Sequence, residues 1–120
     1  QRAVMPELPN ISLIVPTYDE PHRLVETLGS LARQDYPAAK TQIVVVDDAS
    51  RNFAADPVRR AGGDANLVLI RNETNQGRAR SRNRGIQAAD GELLIFLDAI
   101  RSLPQWQKEQ NLMQVNWLTR

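Results

Sequence analysis

Gln42-Ile43-Val44-Val45-Val46-Asp47-Asp48-Ala49-Ser50 decides the fold. Its β-branched run meets no polar residue until it ends in two adjacent carboxylates. Such a run reads as a strand buried on both faces, because nothing in it marks a solvent side. Charge is costly inside a sheet, so Asp47 and Asp48 mark where the chain leaves it. In an open α/β sheet that exit, the carboxyl end of the strand, is where ligands bind.

Outward from this stretch the same pattern repeats. Ile11 to Val15 is a first buried strand, which Pro16 is expected to end because proline cannot donate to a ladder. Leu67 to Ile70 is a third strand, and Glu92 to Leu97 a fourth that again ends in a carboxylate, Asp98. Helical spacing fills the gaps. From Pro21 to Gln34, Leu24, Val25, Leu28, Leu31 and Ala32 share one arc. A short helix is expected over Asp56 to Ala61, stopped by Gly62-Gly63, and another over Arg78 to Ala89, stopped by Asp90-Gly91.

Strands alternating with helices predict an α/β, Rossmann-like, mostly parallel sheet with right-handed crossovers and helices on both faces. The expected strand order is 3-2-1-4, which puts the ligand crevice between the first and fourth strands. Residues 1–10 form a lead-in segment, 11–99 the domain, and 100–120 a tail of different character. In that tail Trp106, Met113 and Trp117 fall on one helical face, which predicts a short helix and a possible self-association surface.

The bulk properties narrow the classes. The chain has 120 residues, one domain's worth, and a net charge of +1 that selects no partner. It has no cysteine, which excludes disulfides and thiolate metal sites and is compatible with a cytoplasmic setting. No apolar run approaches the ~20 residues of a membrane span, so membrane association is expected only through a longer parent protein. Neither a G-x-G-x-x-G nor a G-x-x-x-x-G-K-[ST] motif is present, which argues against dinucleotide and P-loop sites. His22 has no partner at metal-ligand spacing.

The predicted order delivers acid to one rim from three strand ends: Asp19 and Glu20, Asp47 and Asp48, and Asp98. Clustered carboxylates bind hard cations, accept bonds from sugar hydroxyls, or act as bases. Tyr18 adds a ring able to stack on a flat base. Arg78 sits at a helix N-terminus on the same rim, where backbone N–H groups favour anions. On that helix Arg80, Arg84 and Gln87 point outward, Ala79, Ile86 and Ala89 form the packed face, and Arg82 lies within that face. A cation there needs a partner, so Arg82 is expected to form a structural ion pair with a rim acid. The arginines point in opposing directions with no interleaved aromatics, so no nucleic-acid partner is expected.

ISLIVPTYDE (Ile11 to Glu20), LARQDYP (Leu31 to Pro37), IVVVDDAS (Ile43 to Ser50), NQG (Asn75 to Gly77), RNRG (Arg82 to Gly85) and GELLIFLD (Gly91 to Asp98) together resemble the nucleotide-binding half of family 2 glycosyltransferases. The resemblance covers roughly residues 10 to 99, with several motifs in order. It implies a GT-A fold, a nucleotide-diphospho-sugar donor such as a UDP- or GDP-sugar, inverting transfer to an acceptor hydroxyl, and a Mg²⁺ or Mn²⁺ ion. Carried over by position, Pro16, Thr17 and Tyr18 contact the base and Glu20 lies on their rim. Asp48 bonds the base, Asp47 shapes the loop, and Arg82 matches the arginine of the A-R-N-x-G segment. Asp98 is the first acid of the D-x-D element, near ribose and metal.

The family's second acid would stand where this chain has Ile100, which cannot coordinate a cation. The acceptor half, which supplies the catalytic base, has no counterpart here. The expectation is therefore a truncated donor-binding domain with an impaired metal element. Losing one base from a frame coding Asp-Ala-Asp-Pro would give the Asp98-Ala99-Ile100-Arg101 found here. The rival expectation is a non-catalytic scaffold or dimerisation module built on the same fold.

Overall fold

The computed structural model describes residues 8–99 and 113–119, and for 98–99 and 113–119 the backbone alone. Strands β1 (Ile11–Thr17), β2 (Thr41–Asp47), β3 (Asn66–Arg71) and β4 (Leu93–Ala99) alternate with helices α1 (Pro21–Ala32), α2 (Ala55–Ala61) and α3 (Arg78–Ala88). The four strands pair in parallel in the order β3-β2-β1-β4, as the alternation predicts. A fifth strand, β5 (Met113–Thr119), lies antiparallel on the outer edge of β4.

Both faces of the sheet are covered. On one, Leu13, Val15, Ile43, Val45, Ile95 and Leu97 pack against Leu24 and Leu28 of α1 and Val58 of α2. On the other, Ile14, Val44, Val46, Leu94 and Phe96 meet Ile86 and Ala89 at α3. Val44, Val45 and Val46 are fully buried, which is why no polar residue interrupts that run. Burying each such side chain contributes about 1.5–3 kcal/mol.

The strand ends finish level. Thr17 pairs with Asp47, and Asp47 with Arg71. Ile14 pairs with Phe96, and the same register carried two residues further sets Asp98 level with Pro16. The chain therefore leaves β1, β2, β3 and β4 along one rim.

Three local expectations are corrected. Pro16 does not end β1, which continues to Thr17. Pairing with β4 stops at Ile14 while pairing with β2 runs on, so Pro16 sits where the strand has become an edge on one side and a missing donor is tolerated. On α3, Ala79 is exposed and the buried positions are Ser81 and Gly85. A Cβ at Gly85 would stand 2.6 Å from Ile14 Cγ2 and 3.3 Å from Val46 Cγ2, so small residues of α3, beside Ile86 and Ala89, set how closely it approaches the sheet. In the tail, Met113–Thr119 is a strand and not a helix. Met113-Gln114-Val115-Asn116-Trp117 alternates apolar and polar with the period of a strand, and the open edge of β4 supplies the ladder. Trp106 and Ile100 lie outside the described residues.

Candidate nucleotide-binding cleft

The carboxyl rim of the sheet holds a cleft of about 280 Å³ between β1, α1 and the start of α3. Six residues singled out from the sequence line it: Pro16, Thr17, Tyr18, Glu20, Asp48 and Arg78. Tyr18 keeps 42% of its surface exposed, so a ring face is available at the mouth. Arg23, Leu24 and Thr27 of α1 close one wall, and Asn75, Gly77 and Ser81 the other. Glu20 pairs with Arg23 at 3.4 Å.

The two aspartates have divided roles. Asp47 does not reach the cleft and is wholly buried. One of its oxygens accepts the Ser50 N–H (2.9 Å) and the other the Ser50 hydroxyl, which folds the chain after β2 into a tight turn. Arg71 Nε donates to it at 3.1 Å while Arg71 Nη2 bonds the Ser50 carbonyl. The turn forces Ala49 to φ 64°.

Asp48 is also buried but faces the other way. Its Oδ1 accepts the Gln76 N–H (2.7 Å) and Asn72 Nδ2 (2.9 Å), and its Oδ2 the Gly77 N–H (2.9 Å). Burial alone would raise its pKa. The Gln76 N–H, the Asn72 amide, the Gly77 N–H and the Ser81 hydroxyl together outweigh that and hold it below the ordinary value of 3.8. Asp48 thus ties the end of β2 to the N-terminus of α3, and Gly77 makes the entry at φ 93°.

A third tie joins the loops after β1 and β2. Asp19, at φ 52°, accepts the Arg51 N–H (2.8 Å) and the Arg51 guanidinium (2.7 and 3.0 Å), and its own N–H donates to Ser50 Oγ at 2.7 Å. The Arg51 backbone N–H is the main influence lowering the Asp19 pKa, and with the Arg51 guanidinium and the Tyr18 hydroxyl it outweighs the opposing effect of burial.

The sequence reading missed most of these partners. It expected Arg82 to pair with a rim acid, and one candidate, the Asp98 side chain, lies outside the described residues. The arginines that hold described rim acids are Arg23, Arg51 and Arg71. The Arg82 guanidinium carbon lies 4.8 Å from the centre of the Phe96 ring, and it has no carboxylate partner among the described residues. Asn72, Gln76, Gly77 and Ser81 were legible only indirectly: a buried carboxylate needs N–H donors, and a helix N-terminus after a polar loop supplies them.

The acids of the described rim are already engaged. No group of three metal-ligating side chains occurs among the described residues. Asp19 and Asp47 are paired with arginines, Glu20 with Arg23, and Asp48 with N–H donors. At Asp98 only the backbone is described, level with the rim.

The parallel β3-β2-β1-β4 order with a cleft at its carboxyl rim is that of an open Rossmann-like α/β sheet, the fold of the GT-A glycosyltransferases it resembles. Residues 12–99 match the family described as glycosyl transferase family 2, and the chain belongs to that family. It is 38% identical over 89 residues to the poly(ribitol-phosphate) beta-N-acetylglucosaminyltransferase TarS of Staphylococcus aureus, covering 73% of this chain and 16% of TarS. It is 33% identical over 92 residues to the glycosyltransferase AglE of Haloferax volcanii, covering 76% of this chain and 30% of AglE. Among solved structures it is similar to S. aureus TarS in complex with UDP-GlcNAc (TM-score 0.69, 38% identity, 74% of this chain and 26% of that one). It is also similar to the mannosyltransferase PcManGT of Pyrobaculum calidifontis in complex with GDP-Man and Mn²⁺ (TM-score 0.67, 36% identity, 72% and 26%). The chain thus spans less than a third of the length of these relatives.

Proposed function

We propose that this chain binds the nucleotide-diphospho-sugar donor of a glycosyltransferase, with the base in the rim cleft against Tyr18 and the diphosphate toward the start of α3. The observation that carries this reading is Asp48, a buried carboxylate held ionised at the cleft wall. An ionised carboxylate accepts about four hydrogen bonds. Three N–H donors already reach Asp48. The fourth donor, the Ser81 hydroxyl, can rotate away when a base N–H arrives. Pro16 and Thr17 shape the base pocket, and Glu20 sits on its rim. Arg78 and the first N–H groups of α3 supply positive potential for the diphosphate. Asp47 works from outside the pocket by fixing the turn, and Arg82 by packing α3 on the sheet.

The proposed reaction of the intact enzyme is inverting transfer. An acceptor hydroxyl attacks the anomeric carbon and the nucleoside diphosphate leaves. The base that takes the hydroxyl proton is not assigned to any residue of this chain. The metal element beginning at Asp98 has Ile100 where a second acid would stand, so donor binding by this chain is expected to depend little on Mg²⁺ or Mn²⁺. No helix among the described residues is long and apolar enough to cross a membrane, and a cytoplasmic site, or the cytoplasmic face of a membrane, suits a nucleotide-sugar donor.

Calorimetric titration with UDP, GDP and CDP, each with and without Mn²⁺, tests this. Binding of at least one of them, changed less than about threefold by Mn²⁺, is expected, because Ile100 leaves Asp98 as the only acid of the element to hold a hard cation. Absence of heat with all three would remove the nucleotide site. Strong dependence on Mn²⁺ would show the metal element intact.

A further inference from the structure

On the far side of the β3–α3 loop from the cleft lies a second concavity, of about 570 Å³. Arg71, Arg80 and Arg84 line it, with Asn83, Gln87 and a single acid, Glu73. Arg80 and Arg84 are four apart on α3, so their charges stand on the same face and repel. Neither is matched by a carboxylate among the described residues. Arg80 Nη1 bonds Gln76 Oε1 at 3.1 Å, and Arg84 Nη1 bonds Asn72 Oδ1 at 2.6 Å and the Arg71 carbonyl at 3.4 Å. Arg71 is braced by Asp47, by the Ser50 carbonyl and by the Phe53 ring 4.7 Å from its guanidinium carbon. The Arg80 and Arg84 guanidinium groups are therefore held by neutral acceptors alone, while Arg71 has its charge matched by Asp47, and a guanidinium has five N–H donors, more than these contacts use.

We propose that this groove binds a phosphate-bearing ligand, separate from the donor nucleotide. Guanidinium groups suit phosphate because their paired N–H bonds match its oxygens. Bracing by Gln76, Asn72 and Phe53 lowers the side-chain entropy lost on binding. The groove also shares a wall with the donor cleft. Asn72 takes Arg84 on its Oδ1 while its Nδ2 donates to Asp48 and to Ser81 Oγ, so one buried amide joins the two sites. The phosphate is that of a soluble phosphate ester or of a lipid headgroup, and the two are separable by experiment.

The test is a titration of the full chain with inorganic pyrophosphate at low ionic strength, read from backbone amide NMR shifts. Shifts at Arg80, Asn83, Arg84 and Gln87 are expected, in addition to any at Tyr18 and Gly77 in the donor cleft. The double variant Arg80→Gln/Arg84→Gln should weaken the groove shifts about tenfold, because two charge-assisted bonds become neutral. Arg80→Gln alone, which keeps the Arg84–Asn72 contact, should leave nucleoside diphosphate affinity within about twofold, since Arg80 does not line the donor cleft. Co-sedimentation of the parent, but not the double variant, with phosphatidylglycerol vesicles assigns the phosphate to a lipid. Pyrophosphate binding without vesicle binding assigns it to a soluble ester. Shifts confined to Tyr18 and Gly77, or groove shifts equal in parent and variant, overturn the proposal.

Discussion

Ala49 shows what the rim costs at the level of one residue. Its φ of 64° is a left-handed conformation that a Cβ disfavours. Asp47 enforces it by taking both the N–H and the hydroxyl of Ser50. Ala49→Gly should therefore stabilise the fold by about 1 kcal/mol, the left-handed penalty less the extra entropy of an unfolded glycine. A higher urea midpoint with an unchanged m-value is the expected readout, and a lower midpoint would refute the strain. Asp48 gives the opposite case. Its folded pKa lies below the ordinary 3.8, so its contribution is complete above that value and is lost as pH falls through the folded pKa. Asp48→Asn places an N–H₂ group among N–H donors and should cost about 1–3 kcal/mol near neutral pH. The stability difference between parent and variant should shrink below pH 3.8, measured by urea unfolding across the acid range.

Helix α3 shows what a sequence reveals of an element and what it does not. The pattern gave its span to within a residue at the C-terminal end, because Asp90-Gly91 stops any helix. It placed Ile86 and Ala89 on the packed face correctly but put Ala79 there too and missed Ser81 and Gly85, because periodicity is read from apolar residues. Small residues become a packing face only when a partner comes close, and the partner is Ile14, far away in sequence. The same limit explains Arg82. Its place among apolar positions was visible, but its contact with the Phe96 ring is set by how α3 lies across β4. Gly85→Ala tests the close approach. A Cβ 2.6 Å from Ile14 Cγ2 cannot be accommodated without a shift, and overpacking of this kind costs about 1–3 kcal/mol. The gain in helix propensity, about 1 kcal/mol, acts the other way and leaves a net loss. A raised melting temperature would mean that α3 stands further from the sheet than described.

At the scale of the molecule, strand order was legible because alternation and burial leave few topologies for four parallel strands. The rim followed, since each strand ends near charge. β5 was not legible as part of the sheet, because its antiparallel pairing with β4 depends on an edge that no local pattern announces. That edge matters for solubility. Leu93-Leu94-Ile95-Phe96-Leu97 is a continuous apolar run, and β5 pairs with all of it, from Leu93↔Thr119 to Ala99↔Met113. A chain ending at Ala99 would expose those N–H and C=O groups as an unprotected edge, which templates pairing with another chain. The donor cleft is built from β1, β2, α1 and α3 and should survive the truncation. The truncated chain should therefore keep nucleoside diphosphate affinity at low concentration while forming larger species as concentration rises, measured by light scattering after gel filtration. A truncated chain that stays monomeric throughout would mean that β5 protects nothing. One that loses the nucleotide at every concentration would mean that β5 holds the cleft itself together.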